Sequence, residues 1–167
     1  MQKFPFQPPP DARGFTLIEV VIVMAIIAIL ALMTIPMFFA KIPREQVEES
    51  LPLAKIAKDK VAGYYKDSGA LPANNDAAGL PEGKAIIGNY VSAVTVTDGA
   101  VTMTFRADAN GKIADKRLTW RPAVSVKGGR LVPVAWVCAG KKVPDDMEVG
   151  GTNVTDIPKD VLPVECR

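Results

Sequence analysis

Positions 20–40 read VVIVMAIIAILALMTIPMFFA, 21 residues without a charge. As a helix rising 1.5 Å per residue, that run is about 32 Å long against roughly 30 Å of bilayer hydrocarbon, so it can span a membrane. It is longer than an ordinary signal-peptide core, and no A-x-A site closes it before Lys41, so retention is expected. Residues 1–14 hold four prolines and end in glycine, a stretch that does not fold by itself. Inside the apolar run, Pro36 lacks an N–H and crowds the preceding turn, which predicts a kinked helix. Helical spacing continues through 44–66, where Val47, Leu51, Ala54, Val61 and Tyr65 form one apolar stripe. Pro43 and Pro52 fall in this part and predict a bent or loosened segment. A continuous helix over 15–65 measures about 76 Å, longer than a domain of this size needs.

Beyond a connection rich in Gly, Asn and Pro at 67–89, the period drops from about 3.6 to 2. Residues 90–97 and 100–106 flank Asp98-Gly99, and Val101, Met103 and Phe105 alternate with threonines, the pattern of a hairpin closed by a tight turn. Asn110-Gly111 predicts a further turn, 113–120 a third strand, 127–130 another turn and 131–138 a fourth strand, an antiparallel meander. Pro122 and Pro133 predict an edge or a bulge. Residues 139–167, rich in Gly, Pro and Asp, predict loop. The expected fold class is α+β: a long N-terminal α-helix, half transmembrane and kinked, packed on a four-stranded antiparallel sheet with a disulfide-closed C-terminal loop region. The expected divisions are 1–14, 15–40, 41–66, 67–89, 90–138 and 139–167.

Composition narrows the chemistry. With 167 residues, 49% hydrophobic and 23% charged, there is room for one ordinary domain plus an extra element. No histidine is present, which excludes Ser-His-Asp and Cys-His catalysis and histidine-bound zinc or haem; no enzyme activity, cofactor or metal is expected. The two cysteines, Cys138 and Cys166, cannot build a four-cysteine metal site and suit a disulfide, which implies an oxidising compartment. Closing that loop contributes about 3.6 kcal/mol by the chain-entropy estimate. The net charge of +2 conceals a split. Residues 112–142 carry Lys112, Lys116, Arg117, Arg121, Lys127, Arg130, Lys141 and Lys142 against Asp115, while 143–167 carry six acids and two bases. The basic stretch can meet the acidic tail of its own chain, the tail of a neighbouring copy, or a polyanion such as DNA. Trp120 and Trp136 fit a core better than base-stacking platforms. Asp145, Asp146, Glu148, Asp156 and Asp160 do not match an EF-hand spacing and read first as solvated acids, with a calcium-binding loop as the alternative.

At the start of the apolar run stands Arg13-Gly14-Phe15-Thr16-Leu17-Ile18-Glu19. This motif resembles the type IV pilin family, which includes the pseudopilins of type II secretion. The resemblance implies that a prepilin peptidase cuts between Gly14 and Phe15, removes the 1–14 leader and methylates the new N-terminal Phe15. It implies assembly roles for Glu19 and Pro36. The implied partners are copies of the chain itself in a helical filament, the prepilin peptidase, the inner-membrane assembly machinery, and the membrane before assembly. Adhesion, twitching motility and DNA uptake are the family's activities, and the implied location is the inner membrane as precursor and then an extracellular pilus. The other readings are a minor pilin or secretion pseudopilin and, from a different class, a monomeric membrane-anchored binding module. The leader departs from many such pilins in being longer and richer in proline. Glu19 has a physical reading of its own: an unpaired carboxylate costs a few kcal/mol at the bilayer centre, so it needs an interface, a proton or a cation. A new amine at Phe15, one turn away, supplies that cation. Ala25, Ala28 and Ala31, three apart, permit close helix packing.

Overall fold

A computed structural model describes residues 14–125 and 134–167, apart from the side chains of Pro36, Met37 and Ala40. The expected turn at 127–130 therefore lies outside the described residues, as does the beginning of the expected fourth strand, while helix assignment runs through Pro36, where a bend is expected. The elements in chain order are α1 (Leu17–Ser68), a 3-10 turn (Gly83–Ala85), β1 (Val91–Thr97), β2 (Ala100–Phe105), β3 (Arg117–Ser125), β4 (Ala135–Cys138), β5 (Met147–Val149) and a second 3-10 turn (Val164–Cys166). The chain divides into two units, Met1–Phe39 and Ala40–Arg167. In the first, α1 presents an apolar stretch, Leu17–Ile35, with none of it buried. The second holds the core. Helix assignment is unbroken at Pro43 and Pro52.

In the second unit, the buried stripe of α1 is Val47, Ala54, Ala57 and Val61, at spacings of seven, three and four. Leu51 packs at its margin. These side chains cluster with Val91, Val94, Val101, Met103, Phe105, Leu118 and Trp120 from the sheet. In β1, Val94 and Val96 keep the period of two. Val91 falls out of phase, and a bulge between Val91 and Ala93 returns it to the core. The β1–β2 hairpin closes as the Asp-Gly pair predicts, with Asp98 at φ 49° and Gly99 at φ 79°, both left-handed.

Among the described residues the sheet has five strands rather than four. β3 is central, with β2 and then β5 along one side and β4 along the other, every pairing antiparallel. β5 lies in the stretch expected to be loop; three residues are too few to show alternation, and only pairing with Ala123–Ser125 makes them a strand. β3 also begins at Arg117, not at 113. The carbonyl of Asn110 accepts the N–H groups of Ile113 and Ala114, and Asp115 adopts φ 57°, so 110–115 is a turn whose Ile113 is fully buried. Pro122 sits inside β3, paired with Trp136, and not at an edge. Its carbonyl accepts Gly150 N–H at 2.9 Å, on the side where β2 gives way to β5. A residue's N–H and C=O face the same neighbour in an antiparallel ladder, so the missing N–H falls at that gap between strands.

Loops cover the sheet where strands do not. Asn75, buried in the 67–89 connection, accepts Val96 N–H at 2.6 Å and donates to the carbonyls of Val94 and Pro81, in place of a strand beside β1. Beyond β4, Asp156 N–H donates to Arg117 O, and Thr119 N–H donates to Thr155 Oγ1. The Cys138–Cys166 disulfide is formed, with Cα atoms 4.8 Å apart, and closes the C-terminal region on β4.

Candidate processing and assembly segment

Gly14, Phe15 and Thr16 precede the helix, and Phe15 is 80% exposed. Thr16 caps α1: its Oγ1 accepts Glu19 N–H at 3.4 Å, and its carbonyl accepts Val20 N–H at 3.3 Å. Thr16-Leu17-Ile18-Glu19 has the T-x-x-E spacing of a capping box, a signal the sequence reading passed over. The cap marks where helix begins, so the Gly14–Phe15 peptide bond stands outside it. Glu19 lies in the first turn, where a carboxylate complements the helix dipole. Among the described residues, no donor or cation meets that carboxylate.

From Leu17 to Ile35, α1 is apolar on every side, and no side chain of that stretch is buried in the unit. A helix hydrophobic all round needs lipid or other helices as its surroundings. Thr34, the polar exception near its end, turns its hydroxyl back to the carbonyls of Leu30 and Ala31 at 3.1 and 3.3 Å, leaving no hydroxyl proton bare to an apolar medium. Pro36 belongs to α1, and its side chain is among those not described.

The expected basic surface is partly engaged within its own chain. Lys112 pairs with Asp160 at 2.8 Å, and Arg117 pairs with Asp156 at 3.2 Å while its backbone N–H donates to the same carboxylate. Asp160 is a junction: its carbonyl also accepts Arg44 from α1 at 2.9 Å and Arg167 at 3.0 Å. The Lys112 ammonium, hydrogen-bonded to the Asp160 carboxylate, holds that carboxyl below its ordinary pKa. Asp108 is lowered in the same way by Arg106, whose own pKa is raised. Lys116 and Arg121 are half-buried, and Arg121 Nε is buried without a hydrogen-bond partner among the described residues. Lys127 and Arg130 lie outside the described residues. Trp120 is in the core, with the Lys58 ammonium 5.4 Å from its ring centre and 5.9 Å from that of Trp136. Among the described residues, no group of three or more acids and cysteines is placed to hold a metal ion.

Comparison with known proteins places these parts together. The family model described as the prokaryotic N-terminal methylation motif matches residues 10–35, and that described as pilin, a bacterial filament protein, matches residues 43–167. The chain is 37% identical over 164 residues to a type IV major pilin protein, PilE1, of Neisseria gonorrhoeae, covering 93% of this chain and 87% of that protein. It is 36% identical over 147 residues to a fimbrial protein of Neisseria meningitidis serogroup B, covering 86% and 82%. A fimbrial protein of Eikenella corrodens, EcpC, is 40% identical over 104 residues, covering 60% and 67%.

Proposed function

Because this chain belongs to the type IV pilin family, whose members are structural subunits of bacterial filaments, we propose that it is made as a membrane-anchored prepilin, cleaved between Gly14 and Phe15 and polymerised through α1 into a surface pilus. The observation that carries this reading is the unburied stretch Leu17–Ile35, apolar but for Glu19 and Thr34, beginning immediately after a capped start and an exposed Phe15. Lipid surrounds it in the precursor, and neighbouring copies of the same helix surround it in the filament.

Hydrolysis of the Gly14–Phe15 amide leaves a carboxylate on Gly14 and an amine on Phe15. Gly14, with no atom within 4 Å of where a Cβ would stand, lets a peptidase approach the backbone closely. The free amine then takes the methyl group of an activated methyl donor, whose leaving group departs, and the secondary amine so formed is protonated near neutral pH, so the charge is kept. In a bundle of staggered helices, the Phe15 amine of one subunit meets Glu19 of the next, which neutralises both in a medium of low dielectric and rewards one axial register over others. Ala25, Ala28 and Ala31 let the helices come close. Prepilin peptidase and the inner-membrane assembly machinery are the partners this route requires, and attachment and twitching motility are the uses proposed for the filament.

Mass spectrometry and N-terminal sequencing of the protein sheared from cells test the reading. The expected product starts at methylated Phe15 and comes from filaments visible by electron microscopy. A product starting at Met1, or one cut beyond Ala40, overturns it.

A further inference from the structure

The 3-10 turn Val164–Cys166 separates two surfaces of opposite sign in the second unit. On one side is a cavity of about 640 Å³ with Leu162 and Cys166 in its wall and Lys141, Lys142, Lys159 and Arg167 around it. Lys142 reaches Asp145 at 3.4 Å in a fully open setting, and Arg167 directs its guanidinium to the carbonyls of Leu162 and Asp160. Lys141 and Lys159 meet no carboxylate among the described residues. The cavity therefore keeps a positive excess.

On the other side, a groove of about 510 Å³ is lined by Glu48, Leu51, Val164 and Glu165. Glu48 shares its helix with Glu45 and Glu49, all three exposed. Glu45 stands at i−3 and i−4 from the other two, spacings at which like charges oppose a helix. Glu49 accepts a hydrogen bond from Asn89, and no described cation pairs with any of the three or with Glu165. Val164 projects beside them, 75% exposed.

Each patch repels itself within one molecule, and each offers what the other lacks. We propose that they are the two halves of a contact between copies of this chain: the acidic ridge Glu45, Glu48, Glu49 and Glu165 of one subunit docks on the basic cavity of a neighbour. Two different surfaces of one chain make a heterologous contact, which repeats into an open helical array instead of closing as a dimer. This contact presupposes the filament proposed above, to which it adds a second, salt-sensitive interface outside α1.

Charge reversal in the full-length chain tests it. Lys159→Glu and Glu48→Lys, singly, are expected to lower sheared filament yield roughly five- to tenfold at low salt, with the deficit relative to the unaltered chain shrinking as salt rises and screens the new repulsion. Together they are expected to restore much of the yield, because the pair is remade with its sign exchanged. As a second readout, cells producing Lys159→Cys and Glu48→Cys chains together are expected to yield oxidised, covalently linked dimers from filaments, and either chain alone none. Full yield from both single reversals, or a double variant no better than its parents together with no cross-link, overturns the contact while leaving the filament intact. Absence of filaments from the unaltered chain overturns the polymer reading itself, and the contact with it.

Discussion

Glu19 is held to one place by two different demands. Its backbone N–H completes the Thr16 cap, while its carboxylate finds no partner among the described residues. Glu19→Gln keeps the N–H and the side-chain size but removes the charge, so it is expected to insert into the membrane normally and to lose most filament formation. Membrane fractionation beside electron microscopy reads both, and normal filaments would remove the pairing role. Asp160 presents a second residue-scale test. Its folded pKa is depressed by Lys112, so the stabilisation is present above the ordinary carboxylate range and disappears as pH falls through the folded value. Lys112→Met is expected to lower Tm at pH 7 and to melt with the wild type once the solution is acid enough to protonate Asp160. A gap in Tm unchanged between the two pH values would mean that the pair contributes nothing to stability.

Among the elements, the edge of β1 shows how a loop substitutes for a strand. Asn75 supplies one acceptor and two donors to backbone groups that would otherwise be buried and unpaired. Asn75→Ala is expected to cost about 2–4 kcal/mol, since it orphans Val96 N–H and Val94 O together. Denaturant melts measure the cost, and amide exchange at Val96 should accelerate more than exchange at Met103. β5 likewise depends on groups far apart in the chain. A Cβ on Gly150 would stand 2.8 Å from the carbonyl of Asp98, and one on Gly151 2.7 Å from that of Thr97, so only glycines let the segment after β5 pass the hairpin tip. Helix α1 and the β1–β2 hairpin were legible from periodicity and from Asp98-Gly99. β5 was not, because three residues carry no period and their partner lies some two dozen positions back along the chain.

For the molecule as a whole, the C-terminal region is a lid on the sheet held at three kinds of point: the Cys138–Cys166 disulfide, the Asp160 junction with Arg44, Lys112 and Arg167, and the backbone pairing of Asp156 with Arg117. Replacing both cysteines by serine is expected to destabilise the fold by about 2–4 kcal/mol. Limited proteolysis should then cut first within the C-terminal segment, while α1 and β1–β3 resist. The charge split visible in the sequence is resolved at this scale. Among the described residues, three of the basic side chains singled out, Lys112, Arg117 and Lys142, pair with acids of the tail of the same chain, so the near-zero net charge is partly local pairing.

Read alone, the order of residues settled those features that depend on near neighbours: a run of apolar residues long enough for a bilayer, the Asp-Gly hairpin, and the presence of two cysteines with no histidine. Each is a property of a few consecutive positions, and local sterics or hydration decides it. Tertiary structure alone decided that Pro122 belongs to a central strand, that 147–149 pairs with β3, that Asn75 seals an edge, and that Arg44 and Arg167 converge on Asp160. Those outcomes arise from groups far apart in the chain, each satisfying a backbone donor, an acceptor or a charge that only the folded arrangement brings within reach.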